Sequence, residues 1–138
     1  MAAQPSNATI TIDGNRFNAV SAHVGIDTDH DHMGLPQMGT LRCAISCLVD
    51  IHDTVNMPFA TLQKLFELAN IVTSDKIKDI KVEFWQDESH QDAICVYSFR
   101  GWISGFHTEG GGGNNHILHL KLQPALGKHQ YVDLKIGN

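Results

Sequence analysis

The chain has 138 residues, 42% of them hydrophobic, which suffices for one compact core and is too short for two full domains. Lysine and arginine total 10 against 15 aspartates and glutamates, a net charge of −5, and without any basic run the composition argues against nucleic acid as a partner. The charged fraction of 18% is low for a soluble domain, so part of the surface is expected to be polar without charge or covered by another subunit.

In chain order, Ile10 and Ile12 alternate with Thr9 and Thr11, and Asp13-Gly14-Asn15 supplies turn chemistry before a second run from Phe17 to Ile26. This pattern predicts a β-hairpin. Residues 27–39 hold Gly, Pro and alternating Asp and His with no sustained period, which predicts a long loop. A compact domain seldom keeps a structureless connection of about a dozen residues unless it makes contacts, so the loop is a candidate contact arm. From Thr40 to Val49, the side chains Leu41, Cys43, Ile45, Cys47 and Val49 share one strand face. Asn56 then offers a cap and Pro58 fits a first helical turn. Phe59, Leu62, Leu65, Phe66 and Ala69 follow at helical spacing, which predicts one helix over about residues 57–70, its apolar stripe on the chain's own sheet.

Alternation then returns. Ile80, Val82 and Phe84, a polar turn near 87–92 and a strand from Ile94 to Ile103 form a second predicted hairpin. Glu109, the glycines 110–113, Asn114 and Asn115 read as a flexible tip, Leu118, Leu120 and Leu122 as a strand stopped by Pro124, and Tyr131 to Ile136 as the last strand. Seven or so strands and one helix without a βαβ rhythm predict a mainly β fold of two antiparallel sheets, a β-barrel or sandwich with a flanking helix.

The candidate chemistry is sparse. Asp29, His30, Asp31 and His32 are four potential metal ligands in a row. In extended backbone His30 and His32 share a face, and a closed site needs a further ligand, with His23, His52 or His107 as candidates; the alternative is a solvated polar loop. Asp50-Ile51-His52-Asp53 near Cys47 imitates a thiol, base and orienter, but the strand face of Cys47 makes a buried apolar thiol the better reading. The glycine tip lacks the Gly-Lys-Ser/Thr and following helix of a phosphate loop. Trp85 and Trp102 suit either core or interface anchors. Three cysteines, Cys43, Cys47 and Cys95, lie in apolar runs and fit reduced thiols in a reducing compartment. The N-terminal segment has neither a basic nor an apolar region of a Sec signal, and no run is long enough to span a membrane.

The ordered features resemble a known family. The T-I-T-I-D-G hairpin at residues 9–14, the loop carrying Gly34-Leu35-Pro36 and Gly39, one short helix with Leu65-Phe66, and the closing strand from Ile117 to Pro124 are similar in pattern and order to Hcp (TssD), the tube protein of type VI secretion systems. They are more distantly similar to the tail-tube proteins of contractile phages. The resemblance spans residues 7–136 of what is expected to be a single domain over residues 1–138.

It implies six copies in a ring, rings stacked into a hollow tube, no catalytic residues and no cofactor. The implied partners are further copies of the chain, the sheath, baseplate and spike proteins, and effector cargo in the lumen, with no nucleic acid and no membrane insertion. It also implies a cytoplasmic product that the type VI apparatus exports without a cleavable signal. The matching loop would make the stacking contacts through Asp27, His30, His32, Met33, Leu35, Pro36 and Met38. The Asp-His run and the four-glycine tip depart from the typical pattern.

Elementary physics points the same way, because unpaired strand edges are satisfied by closing a ring, and head-to-tail stacking propagates. Two alternatives stand beside it: a metal-binding module or small metal-dependent enzyme centred on Asp29–His32, and a polar ligand barrel of lipocalin shape. Nine histidines could take the net charge from −5 to +4. With His30, His32 or His107 at contacts between copies, assembly is expected to change between about pH 5 and 7.

Overall fold

A computed structural model describes residues 6–37, 42–111, 114–125 and 135–137. Strands β1 (Ala8–Ile12) and β2 (Asn15–Ala19) pair antiparallel, with Ile12 opposite Asn15, so Asp13 and Gly14 alone make the turn. Both have positive φ, 51° and 79°. That is the type I′ geometry, whose twist matches paired strands and which Asp-Gly favours. The chain bends at Val20 and continues as β3 (Ser21–Asp27), so the predicted run from Phe17 to Ile26 is two strands rather than one.

Strand β4 (Arg42–Asp50) buries Ile45, Cys47 and Val49 on one face, as its period of two predicts, with Cys43 half-buried on the same face; Thr40 and Leu41 of the predicted strand lie outside the described residues. Helix α1 spans Phe59–Ala69, with Pro58 at the N-cap position and no side-chain cap. A 3-10 turn at Ser74–Lys76 leads into β5 (Lys78–Trp85). Strand β6 (Ala93–Gly111) outruns the predicted end at Ile103, and β7 spans Asn114–Pro124. The tip expected from Glu109 to Asn115 is therefore shorter, because Glu109 already pairs with Ile117 and Gly111 with Asn114. Of the last predicted strand, residues 131–134 lie outside the described residues, and β8 is Lys135–Gly137.

The strand order is β2-β1-β5-β6-β7-β4-β3, with β8 beside β6. Its first and last members, β2 and β3, are joined through Val20 alone, so the sheet has to curl until they meet. Val20 N–H donates to Leu48 O at 2.8 Å where they do. The two predicted layers are thus halves of one continuous antiparallel sheet, folded into a flattened barrel whose end strands β2 and β3 share the bend at Val20 but do not pair with each other. Strand β6 serves both halves: residues 93–101 pair with β5 and residues 101–111 with β7.

Between the halves lie Ile10, Ile12, Phe17, Val49, Val82, Leu118 and Leu120, with Leu65 of α1 inserted among them. The helix stripe only partly matches expectation. Leu62, Leu65, Leu68 and Ala69 meet the core, whereas Phe59 is 72% exposed and Phe66 lies against the Phe106 ring at 5.6 Å with its outer side open.

A polar chain runs across the face of β1 and β2 opposite the core, where Thr9 and Asn18 are partners. Trp85 Nε1–H donates to Thr9 Oγ1 (2.9 Å), Thr9 Oγ1–H to Asn18 Oδ1 (2.8 Å), and Asn18 Nδ2–H to Asn56 Oδ1 (2.9 Å). Asn56 Nδ2–H closes it on Asp53 Oδ2 (2.8 Å). Asn56, expected as a helix cap, instead pins the segment before α1 to β2, and Asp53 organises the turn by accepting from the N–H groups of Val55 and Asn56. Thr9 is fully buried at the hub. Thr9→Val strands the Trp85 N–H and the Asn18 carbonyl, each costing about 1–3 kcal/mol. Chemical denaturation is expected to show that loss, and Thr9→Ser to recover most of it.

Candidate assembly surfaces

After Asp27 the expected structureless loop turns out to be a miniature hairpin. Gln37 N–H donates to Asp29 O (2.7 Å), Asp31 N–H to Leu35 O (2.9 Å) and Gly34 N–H to Asp31 O (3.0 Å), and His30 bridges to Pro36. The Asp31 side chain orders the tip, its Oδ1 accepting from Met33 N–H (2.9 Å) and Leu35 N–H (3.0 Å). Gly34, at φ 83°, supplies the left-handed residue that closes it. At the base Asp29 pairs with Arg42 Nε at 2.6 Å, tying the arm to the start of β4. Met33 is 76% and Leu35 61% exposed, so a self-ordered stalk presents two apolar side chains to solvent. Met38 lies outside the described residues.

The histidines do not gather at this arm. Among the described residues no three His, Cys, Asp or Glu side chains converge in a metal-holding group. The turn at 31–34 interrupts the extended backbone that would have put His30 and His32 on one face, and the Asp31 carboxylate is taken up by its own turn. His23 sits on β3, His107 on β6 opposite His119, and His52 after the end of β4 beside His116.

The four strands β3, β4, β7 and β6 form a second candidate surface. Their core face carries Val24, Ile45, Leu122 and Ile103, and their other face His23, Ser46, Lys121 and Gly105 in register. His119 pairs with His107 across that outer face. Both flanks of this half-sheet are open among the described residues: β3 pairs only with β4, and β6 beyond Gly101 pairs only with β7. Beside the open flank of β6, a groove of about 210 Å³ runs between α1 and the strand, lined by Phe66, Ala69, Asn70 and residues 103–106. Ile26, on the core-side face of β3, is 60% exposed at the other flank.

The imitation of a thiol site near Cys47 resolves into packing. Cys47 is buried, and desolvation pushes its thiol up to about 12 from an ordinary 9.0. Asp50 Oδ1 accepts from His52 N–H at 2.9 Å, and Asp53 belongs to the polar chain. Because the folded value lies above the unfolded one, the stabilisation is complete below pH 9 and is lost as pH rises toward 12. The stability difference between the wild type and Cys47→Ala is expected to narrow by about 2–3 kcal/mol between pH 8 and 11, measured by denaturant titration.

No family model matches the sequence, and neither does any curated protein. The fold does have relatives. Hcp1 from Flavobacterium johnsoniae aligns at a TM-score of 0.65 with 10% identity, covering 94% of each chain. Hcp1 from Salmonella typhimurium aligns at 0.58 with 12% identity, over 86% of this chain and 81% of that one. A chain of the sheath-tube complex of PVC, an extracellular contractile injection system, aligns at 0.63 with 11% identity, over 99% of this chain and 91% of that one. The polypeptide therefore has the fold shared by Hcp and contractile-injection tube proteins.

Proposed function

We propose that this chain is a structural subunit of the inner tube of a type VI secretion system, or of a related contractile injection system, and that six copies close into a ring. The carrying observation is the pair of open flanks on one four-stranded half-sheet. Strands β3, β4, β7 and β6 alternate in direction, so β3 runs opposite to β6. A neighbour's β3 can therefore join the open part of β6 antiparallel, as every other pair in the sheet is joined, and repeating that contact around a ring leaves no edge. In that pose Ile26 faces the groove beside Phe66 and Phe106, and the polar face with His23, Ser46, Lys121 and His107 lines the channel.

The arm serves the second contact. It leaves one end of the barrel, its tip offers Met33 and Leu35, and head-to-tail stacking brings it against the opposite end of the next ring. Sheath, baseplate and spike proteins are the further partners on this reading, with effector cargo in the channel and export by the machine itself after synthesis in the cytoplasm. No helix among the described residues is long and apolar enough to cross a membrane. The chain from the PVC sheath-tube complex matches as well as the Hcp proteins do, so the host machine is either kind.

Met33→Asp combined with Leu35→Asp is expected to leave rings intact and to abolish their stacking into tubes, seen by negative-stain microscopy. Loss of rings in that variant would place the arm within the ring instead.

A further inference from the structure

His52 and His116, 64 residues apart in the chain, come into contact with ring centres 4.6 Å apart at an interplanar angle of 64°. We propose that these two imidazoles chelate a divalent transition-metal ion, and that His30 or His32 of the next stacked copy fills a further position on it. The second half rests on the tube reading above; the first does not.

Three features hold the pair in place. His52 N–H donates to the Asp50 carboxylate at 2.9 Å, and Ile51 N–H donates to His116 O at 3.1 Å, so both backbones are fixed to one another. The third is Gly110, where a Cβ would fall on His116 Nδ1. This glycine of the four-glycine tip is thus required by space, because the imidazole fills the volume a side chain would occupy. With metal–nitrogen bonds of about 2.1 Å, two imidazoles hold their centres about 4.6 Å apart at 90° and about 5.3 Å apart at the tetrahedral angle, so the observed 4.6 Å fits neighbouring positions of an octahedral or square-planar ion. Imidazole nitrogen suits Zn²⁺, Ni²⁺ and Cu²⁺.

Two ligands leave the ion open, and no third donor converges on it from the described residues of the same copy. The topology indicates where one would come from. The pair sits where β4 ends and β7 begins, next to the end of β6, whereas the arm leaves β3 at Asp27, beside the start of β4. Pair and arm occupy opposite ends of the barrel, so head-to-tail stacking brings them together. At the arm tip the carboxylates of Asp29 and Asp31 are engaged by Arg42 and the turn, which leaves the imidazoles of His30 and His32 as the available donors.

The test is calorimetric titration of the metal-stripped chain with Ni²⁺. One ion per chain is expected, with the signal lost in His116→Ala and in Gly110→Ala, which keeps both histidines but displaces the ring; thermal melting of the metal-free variants checks that they fold. Binding that survives in both folded variants, or no binding in the wild type, overturns the chelate. Electron microscopy then reads the bridge. Ni²⁺ is expected to lengthen stacks and a chelator to shorten them in the wild type, whereas the double variant His30→Ala, His32→Ala still binds Ni²⁺ yet does not lengthen. Lengthening that persists in that variant overturns the bridge. Absence of stacks under every condition defeats the tube reading, while the calorimetric result still decides the chelate.

Discussion

Gly101→Ala is expected to destabilise the protein by about 2–3 kcal/mol, the upper part of the range for a buried position forced to accept volume it lacks. Gly101 is the residue at which β6 passes from one half of the barrel to the other, opposite Lys78 on one side and Pro124 on the other. An added Cβ would lie 2.5 Å from the backbone oxygen of Gln123 and 2.8 Å from the Phe99 ring. The first of these is main chain within a ladder and cannot rotate away, so the strand itself has to move. Gly105→Ala is the matched control. There the new methyl meets only the Lys121 side chain, at 3.2 Å and beyond, which gives way more easily. Urea titration should show the larger loss at 101, and equal losses would mean that β6 tolerates movement at the crossing.

Ile26→Lys is expected to convert rings into folded single chains. Ile26 is 60% exposed in the isolated chain, so the substitution removes little packing within it, and its effect on the denaturation midpoint should stay within about 0.5 kcal/mol. Between copies the same side chain would enter the groove beside Phe66 and Phe106, where an unpaired ammonium is expensive to desolvate. Sedimentation of the variant should give one species of 15.2 kDa, the mass of a single chain. Rings that persist in Ile26→Lys would move the junction to another edge.

How much of this was legible in the sequence depends on how local each cause is. The β1–β2 turn follows from two residues, Asp13-Gly14, and the faces of β4 and β7 from strict alternation, so both were readable. Helix α1 is legible from its spacing, whereas the role of Asn56 is not, because its partners, Asn18 and Asp53, belong to a polar chain that only the fold assembles. The extension of β6 through Glu109 and Gly110 was hidden by glycines, which weaken a strand signal even where, as at Gly110, a neighbouring ring demands one. The loop at 27–37 carries its own turn chemistry in Asp31 and Gly34, but a two-residue turn signal without flanking apolar alternation does not distinguish a short hairpin from an irregular loop. The open flanks of β3 and β6, like the pairing of His52 with His116, are products of strand order, which periodicity does not encode.

Native mass measurement of the untagged wild-type chain at tens of micromolar tests closure through β3 and β6 most directly. The expected result is a discrete six-copy ring with a central opening in the corresponding electron micrographs. A stable, folded single chain at that concentration would contradict it.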